Sequence, residues 1–463
     1  MIPLTLAEIA AITGGSLVNA FGSETVTGGV EYDSRKVGPG GLFVAFAGEK
    51  ADGHDFGPQV VAAGAAGVLG TRDAGVPGVV VQDQLEVLAK LAHEVLGRLP
   101  ELTVVGLTGS SGKTTTKDYI GQLLSRLGPA VAPAGSLNNE LGFPYTVLQA
   151  DEKTRFLVLE MGARGIGHIR YLTGIARPSI GVVLNVGAAH LGEFGSVEGT
   201  ALAKGELVEA LPATGVAVLN ADDPLVSAMA SRTVARVLLT GEADGAGLRA
   251  EDVVVDATGR ASYVLTDGVD RGNVRLGVAG RHQVANTLAA AAVALTAGMA
   301  FDEVVTALGE VGIVSGRRMD VFERADGVTV VDDSYNANPS STAAALHALA
   351  AMGAGRRTTA VLGYMAELGE HEVSGHAEVG RLAAELGVDR LIAVAENARP
   401  ILDGAAEVGG WRGTARFAAD QAAAIEILQN DLRADDVVLV KGSRYRTWDV
   451  ADWLRRSEEV QPT

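Results

Sequence analysis

Four apolar runs of strand length, each followed by a turn and a helical pattern, constrain this chain more than any other feature. They are TVVGL (103–107), FLVLE (156–160), IGVVLN (180–185) and VAVLN (216–220). Strands apolar on both faces belong in a parallel sheet covered by crossover helices on either side. A second series repeats the alternation: VTVVDD (328–333), TTAVLG (358–363), RLIAVA (390–395) and DVVLVKG (436–442). Before both, shorter runs (LFVAFAG, GVLG, GVVV) lead into a helical pattern from Leu85 to Leu99. The expected fold class is α/β in three domains: a small α/β domain at 1–98, a central parallel-sheet domain at 99–314 and a Rossmann-like α/β domain at 315–463. A length of 463 residues fits three domains of ordinary size. Gly312 to Gly316, followed by the basic pair Arg317–Arg318, marks a hinge. The most apolar stretch, Thr287 to Phe301, is too short to span a bilayer and reads as one packed helix.

Composition removes several function classes. A net charge of −18 with no basic stripe opposes nucleic acid and anionic membrane surfaces. The absence of Cys excludes disulfides, thiolate nucleophiles and Cys-based metal centres. The first residues, MIPLTLAEIAAITGG, carry neither a basic leader nor a cleavage pattern, so a cytoplasmic protein is expected. A chain this acidic must build positive potential locally, from Lys, Mg²⁺ and helix N-termini, if it is to bind anionic ligands.

Such a place is visible after the first long strand. Thr108-Gly109-Ser110-Ser111-Gly112-Lys113-Thr114-Thr115-Thr116 opens a helix with apolar positions at Tyr119, Ile120, Leu123, Leu124 and Leu127. Glycines let backbone N–H groups close around phosphate oxygens, Lys113 neutralises the β- and γ-phosphates, and the Thr114 hydroxyl can ligate Mg²⁺. The spacing is the short G-x-x-G-K-T form, with Leu107 where the longer motif has Gly.

The neighbouring segments are less decisive. Glu160 ends an apolar strand, where a carboxylate either holds Mg²⁺ beside the loop or simply faces solvent. His190 follows the next strand, and a lone His is usually structural. Lys204 has the pattern of an exposed helix residue.

Together these pieces resemble the Mur ligase family over nearly the whole chain. TGSSGKTTT is similar to its short phosphate-binding signature, and Asn185 to His190 with Ala203-Lys204-Gly205-Glu206 is similar to its second metal segment. The resemblance implies ATP with two Mg²⁺ ions. Gly109, Ser110, Ser111, Gly112, Lys113, Thr114 and Thr115 would bind ATP, joined by Gln283, Asn286, Arg317 and Asp333. Thr114, Glu160 and His190 would ligate the metal ions. Lys113, Lys204, His190 and Arg317 would be catalytic, with Lys204 carbamylated as in related ligases. Arg317 would be a phosphate clamp delivered by closure of the third domain; without the resemblance, a solvated hinge Arg is an equal reading.

Four further segments resemble the branch that adds D-alanyl-D-alanine to a UDP-linked muramoyl tripeptide. They are Asn138-Asn139-Glu140-Leu141-Gly142-Phe143-Pro144, the DDSYNANP run from Asp332 to Pro339, Asp33-Ser34-Arg35, and Lys441-Gly442-Ser443-Arg444. By that resemblance Ser34, Arg35, Asn138, Asn139, Asn336, Asn338 and Lys441 would contact the substrates, and the first domain would hold the UDP moiety. Two positions depart from the family pattern: Gln283 stands where Asn is usual, and Tyr364 where Asp is common.

The expected partners are therefore the UDP-linked muramoyl tripeptide and D-alanyl-D-alanine, with no nucleic acid and no membrane, in a monomer. The other readings are a related ligase adding meso-diaminopimelate or lysine, a P-loop ATPase or phosphotransferase, and a non-catalytic nucleotide-binding module. The DDSYNANP run argues against the first, and the first domain is unexplained by the second.

Overall fold

The computed structural model describes residues 1–187, 195–443 and 445–456. Besides a two-stranded pairing of Leu4–Thr5 with Thr25–Val26, three larger sheets follow the three series of apolar runs. The first is five-stranded, with spatial order 16–18, 78–80, 67–70, 42–45 and 30–31. Strand Ser16–Val18 runs antiparallel on its edge and the other pairs are parallel.

The helix Gln84–Gly97 starts at Asp83, whose carboxylate accepts from the Leu85 and Glu86 N–H groups, a side-chain cap of the usual kind. Its apolar face (Val87, Leu91, Val95) shares one buried cluster with Phe143, Ile169 and Leu172 of the central domain. The first domain is thus joined to the second by a continuous core. Phe143 is fully buried there, and its truncation to Ala would cost about 3–5 kcal/mol.

The central sheet has nine strands, with Thr103–Thr108 between Phe156–Glu160 and Ile180–Val183. These pair in parallel, and Glu160 lies in register with Leu107. The carboxyl ends of three neighbouring strands therefore open at one place.

Two local expectations are corrected. The central sheet is not parallel throughout: Leu248–Val255, Arg260–Thr266 and Arg271–Ala279 form an antiparallel meander on its edge. Their burial alternates, as expected for strands covered on one face only. Thr287 to Phe301 is not one helix either. A helix covers Gln283–Thr296, the chain turns at Gly298 (φ +95°), and a second helix begins at Phe301.

The third sheet runs in the order 320–323, 329–333, 437–441, 358–362, 390–394 and 414–418, parallel except for its first strand. Separate apolar clusters cover its two faces. Among the described residues, no helix is long and apolar enough to cross a membrane.

Candidate active site

The central and third domains enclose a cavity of about 700 Å³. Its floor is the phosphate loop. Strand Thr103–Thr108 delivers the loop, and the helix Lys113–Leu124 begins as soon as Gly112 has turned the chain at φ +79°. A Cβ at Gly112 would lie 2.6 Å from Asn286 Oδ1. Both the turn and the close approach of the second helix therefore require glycine.

Lys113 reaches back so that its Nζ donates to the Gly109 carbonyl at 2.9 Å. Burial lowers its pKa, with Glu160 pulling in the opposite direction. An ammonium so placed gains from any anion that enters the cavity. The Ser110 and Ser111 N–H groups converge on Asn185 Oδ1, at 3.0 and 2.9 Å. A pair of backbone donors aimed at one oxygen is a ready anion site. Asn185 is the contact that sequence reasoning passed over, although its strand had been identified.

Glu160 is buried, not facing solvent. Its Oε2 accepts from the Thr114 hydroxyl at 2.7 Å; its Oε1 accepts from Ser136 Oγ at 2.8 Å and Asn138 Nδ2 at 2.7 Å. These partners are all neutral. A buried carboxylate beside a threonine hydroxyl, at the mouth of a phosphate loop, is a set of hard oxygen donors suited to Mg²⁺. Asn139 does not join it; its Oδ1 accepts from the Gly142 N–H at 2.8 Å and shapes the turn.

Lys204 is buried as well, contrary to its pattern, because it shares a helix face with Ala203, Leu207 and Val208. Burial drives its pKa well below the ordinary value, and the charge of Lys113 adds to the effect. His190 lies outside the described residues, as does Arg444.

The facing wall comes from the third domain. Asp333 and Lys441 are register partners on adjacent parallel strands, and they form a buried ion pair. Lys441 Nζ also donates to the Asn336 carbonyl at 2.9 Å, and Asp333 Oδ1 accepts from the Met319 N–H at 3.1 Å. Asn338 lines the cavity while capping the helix Pro339–Met352, in a reciprocal box with Ser341.

Gln283 and Asn286 lie side by side at the start of their helix, joined by a 2.9 Å hydrogen bond between their amides. The longer Gln283 side chain therefore still presents its amide to the cavity. His282 precedes them, half-buried, and desolvation lowers its pKa.

Arg317 does not line the cavity. It pairs with Asp452 at 3.0 Å and lies near the Trp448 ring. The next residue, Arg318, lines the cavity instead, its guanidinium 4.2 Å from the Tyr335 ring centroid. Sequence reasoning took Arg317 of the basic pair as the phosphate clamp, whereas it is Arg318 that faces the cavity. Tyr364 lies outside the cavity, and its hydroxyl donates to Glu372 at 2.7 Å.

Ser34 and Arg35 do not line the cavity, and Arg35 is held by Asp33 at 2.8 Å. Their loop meets the central domain through Tyr145. The hydroxyl of Tyr145 donates to Glu31 at 3.1 Å, and its ring packs edge-on against Tyr32. Glu31 and Tyr32, just before the Asp33–Arg35 turn, thus contact the segment that follows Asn138 and Asn139.

Three matches cover most of the chain: residues 27–96 match the Mur ligase family catalytic domain, 107–294 the Mur ligase middle domain, and 317–444 the Mur ligase glutamate ligase domain. The chain belongs to the Mur ligase family. It is 47% identical to the UDP-N-acetylmuramoyl-tripeptide–D-alanyl-D-alanine ligase of Mycobacterium tuberculosis, over 96% of each chain. A crystal structure of MurF from Acinetobacter baumannii superposes with a TM-score of 0.85 at 31% identity, covering 98% of both chains. MurF from Thermotoga maritima in complex with ADP matches with a TM-score of 0.79 at 30% identity, covering 94% of this chain and 98% of that one.

Proposed function

We propose that this chain joins the amine of D-alanyl-D-alanine to the terminal carboxylate of UDP-N-acetylmuramoyl-tripeptide, converting ATP to ADP and phosphate. It is a C–N bond-forming ligase of peptidoglycan precursor synthesis. The observation that carries this is the near full-length likeness to relatives of that name, joined to a cavity in which a phosphate loop faces a second domain.

A carboxylate resists attack by an amine because it is anionic and has no leaving group. The tripeptide carboxylate first takes the γ-phosphoryl group of ATP, and ADP departs. The amine then attacks the acyl phosphate carbonyl, the C–N bond forms, phosphate leaves with the C–O electron pair, and the amine proton passes to solvent. Both steps gather negative charge where Lys113 and the loop N–H groups lie. Thr114 and Glu160 would hold Mg²⁺, which neutralises phosphate charge when bound. His190 is assigned to a second ion by family pattern. Lys204, whose buried amine favours the neutral form that can add CO₂, is assigned to carbamylation. The third domain supplies the opposite wall and excludes water, which would hydrolyse an acyl phosphate.

Ser34 and Arg35 serve the UDP-linked substrate, Asn138 and Asn139 its peptide end, and Asn336, Asn338 and Lys441 the dipeptide side. Gln283, Asn286 and Asp333 serve the nucleotide. Residues 1–98, 99–314 and 315–463 act as the UDP-binding, ATP-binding and closing domains. One chain supplies both walls of the cavity, which supports a working monomer, and the proposed substrates support a cytoplasmic location. Phosphate release should require ATP, UDP-muramoyl-tripeptide and D-alanyl-D-alanine together, with a product heavier by one dipeptide residue. Release with a single amino acid, or without any acceptor, would refute the assignment.

A further inference from the structure

The helix that starts at the phosphate loop carries two charged residues that the chemistry above does not use. Lys117 and Asp118 are both buried and lie 2.9 Å apart as an ion pair. Breaking such a pair on one side is costly, because it leaves the other charge buried and unpaired. Lys117 Nζ donates to the carbonyls of Pro133 and, at 3.0 Å, Gly135. Asp118 Oδ2 accepts from the Ser315 N–H at 3.0 Å, and Ser315 Oγ accepts from the Gly135 N–H at 2.8 Å. Gly135 adopts φ +85°, which glycine alone takes readily.

These contacts close a ring. From Thr114 on the first turn of the helix, it passes to Glu160, to Ser136, through Gly135 to Ser315, and back to Asp118 on the next turn. One turn further along, Gln122 makes two reciprocal hydrogen bonds with the backbone of Gly312, at 3.0 and 2.9 Å. Three residues after Ser315 stands Arg318, on the cavity wall.

We propose that Asp118 and Ser315 are positioning residues that register the hinge to the phosphate-loop helix. Through them the third domain closes with Arg318 and the Asp333–Lys441 pair at the correct distance from the phosphate loop. Neither residue lines the cavity. Nucleotide affinity is therefore largely independent of them, while the ligation rate is not. This rests on the ligase reading above.

The chain has no Cys, so two introduced cysteines can be labelled without background. Val234 in the central domain and Val373 in the third are exposed and remote from the ring. The full-length V234C/V373C protein, carrying a donor and an acceptor dye, reports inter-domain distance by single-molecule energy transfer. Asp118→Asn, Ser315→Ala and Ser315→Thr are compared in that background with ADP and with the UDP-linked tripeptide added. Ser315→Ala should lower kcat at least tenfold, change ADP affinity less than threefold and broaden the closed-state distance distribution. Ser315→Thr, which keeps the hydroxyl, should restore all three toward the parent. If Asp118→Asn proves too unstable to purify, the Ser315 pair still decides. Variants that ligate at the parent rate with an unchanged distance distribution would overturn the proposal. So would a loss of rate that the Thr variant fails to rescue. A parent protein that releases no phosphate in response to D-alanyl-D-alanine would instead overturn the ligase reading itself.

Discussion

The two walls of the cavity are built in opposite ways. The phosphate-loop wall is local: Gly109 to Thr115 form one strand–loop–helix passage, and Glu160 is its in-register neighbour. Its cation, Lys113, is satisfied only by a backbone carbonyl among the described contacts. The third-domain wall is assembled from residues far apart in sequence, and its cation, Lys441, is already paired with Asp333. The first wall is poised for an incoming anion, while the second is held together by its own charges. Removing a charge should therefore cost function on one side, and both function and stability on the other.

Lys113→Ala should abolish ligation, by about a thousandfold or more in kcat, yet melt close to the parent, because its described hydrogen bond goes to a backbone carbonyl. A large fall in melting temperature would erase the distinction between the walls. Glu160→Gln, which keeps the shape but not the charge, should lower activity by about a hundredfold and raise the Mg²⁺ concentration needed for half-maximal rate. An unchanged Mg²⁺ dependence would remove Glu160 from the metal site.

On the opposite wall, Lys441→Met should destabilise the protein by about 3 kcal/mol, because Asp333 is left buried without its cation. The double variant Asp333→Asn with Lys441→Met should recover most of that stability but not the activity. Denaturant titration of the four proteins measures the coupling. Arg318→Ala should slow ligation by about tenfold or more. Arg317→Ala should act more weakly, through its contact with Asp452. The reverse order would show that the hinge turns Arg317 inward during turnover.

The smallest effect concerns Lys204. Its pKa in the folded chain is lowered well below 10.5 by burial, so the unfolded chain holds a proton that the folded chain releases. Stability from this residue therefore rises with pH until the unfolded lysine also deprotonates near 10.5. In CO₂-free buffer, Lys204→Met should melt higher than the parent at neutral pH, with the gap narrowing as pH rises toward that value. A gap that is constant with pH would contradict the burial account.

What the sequence disclosed follows the same division. The loop, its strand and its helix were legible because their chemistry is contiguous and their spacing fixed. Glu160 was found but left undecided, since a strand end does not reveal whether its carboxylate is buried. Lys204 was misjudged as exposed because its burial depends on what packs over the helix. The antiparallel meander was missed although its residues alternate, the long apolar runs beside it having set the expectation of parallel pairing. Asp333 and Lys441 were named by resemblance alone. Nothing in two segments more than a hundred residues apart announces that they become adjacent strands. Of Arg317 and Arg318, only the backbone at the hinge decides which faces inward.

The most direct measurement follows oxygen from the tripeptide into phosphate. With the terminal carboxylate of the UDP-linked tripeptide labelled with ¹⁸O, and with ATP and D-alanyl-D-alanine supplied, the phosphate released should carry one labelled oxygen for each amide bond formed. Phosphate free of label would show that the carboxylate never becomes an acyl phosphate, and would contradict the assignment of this cavity to that chemistry.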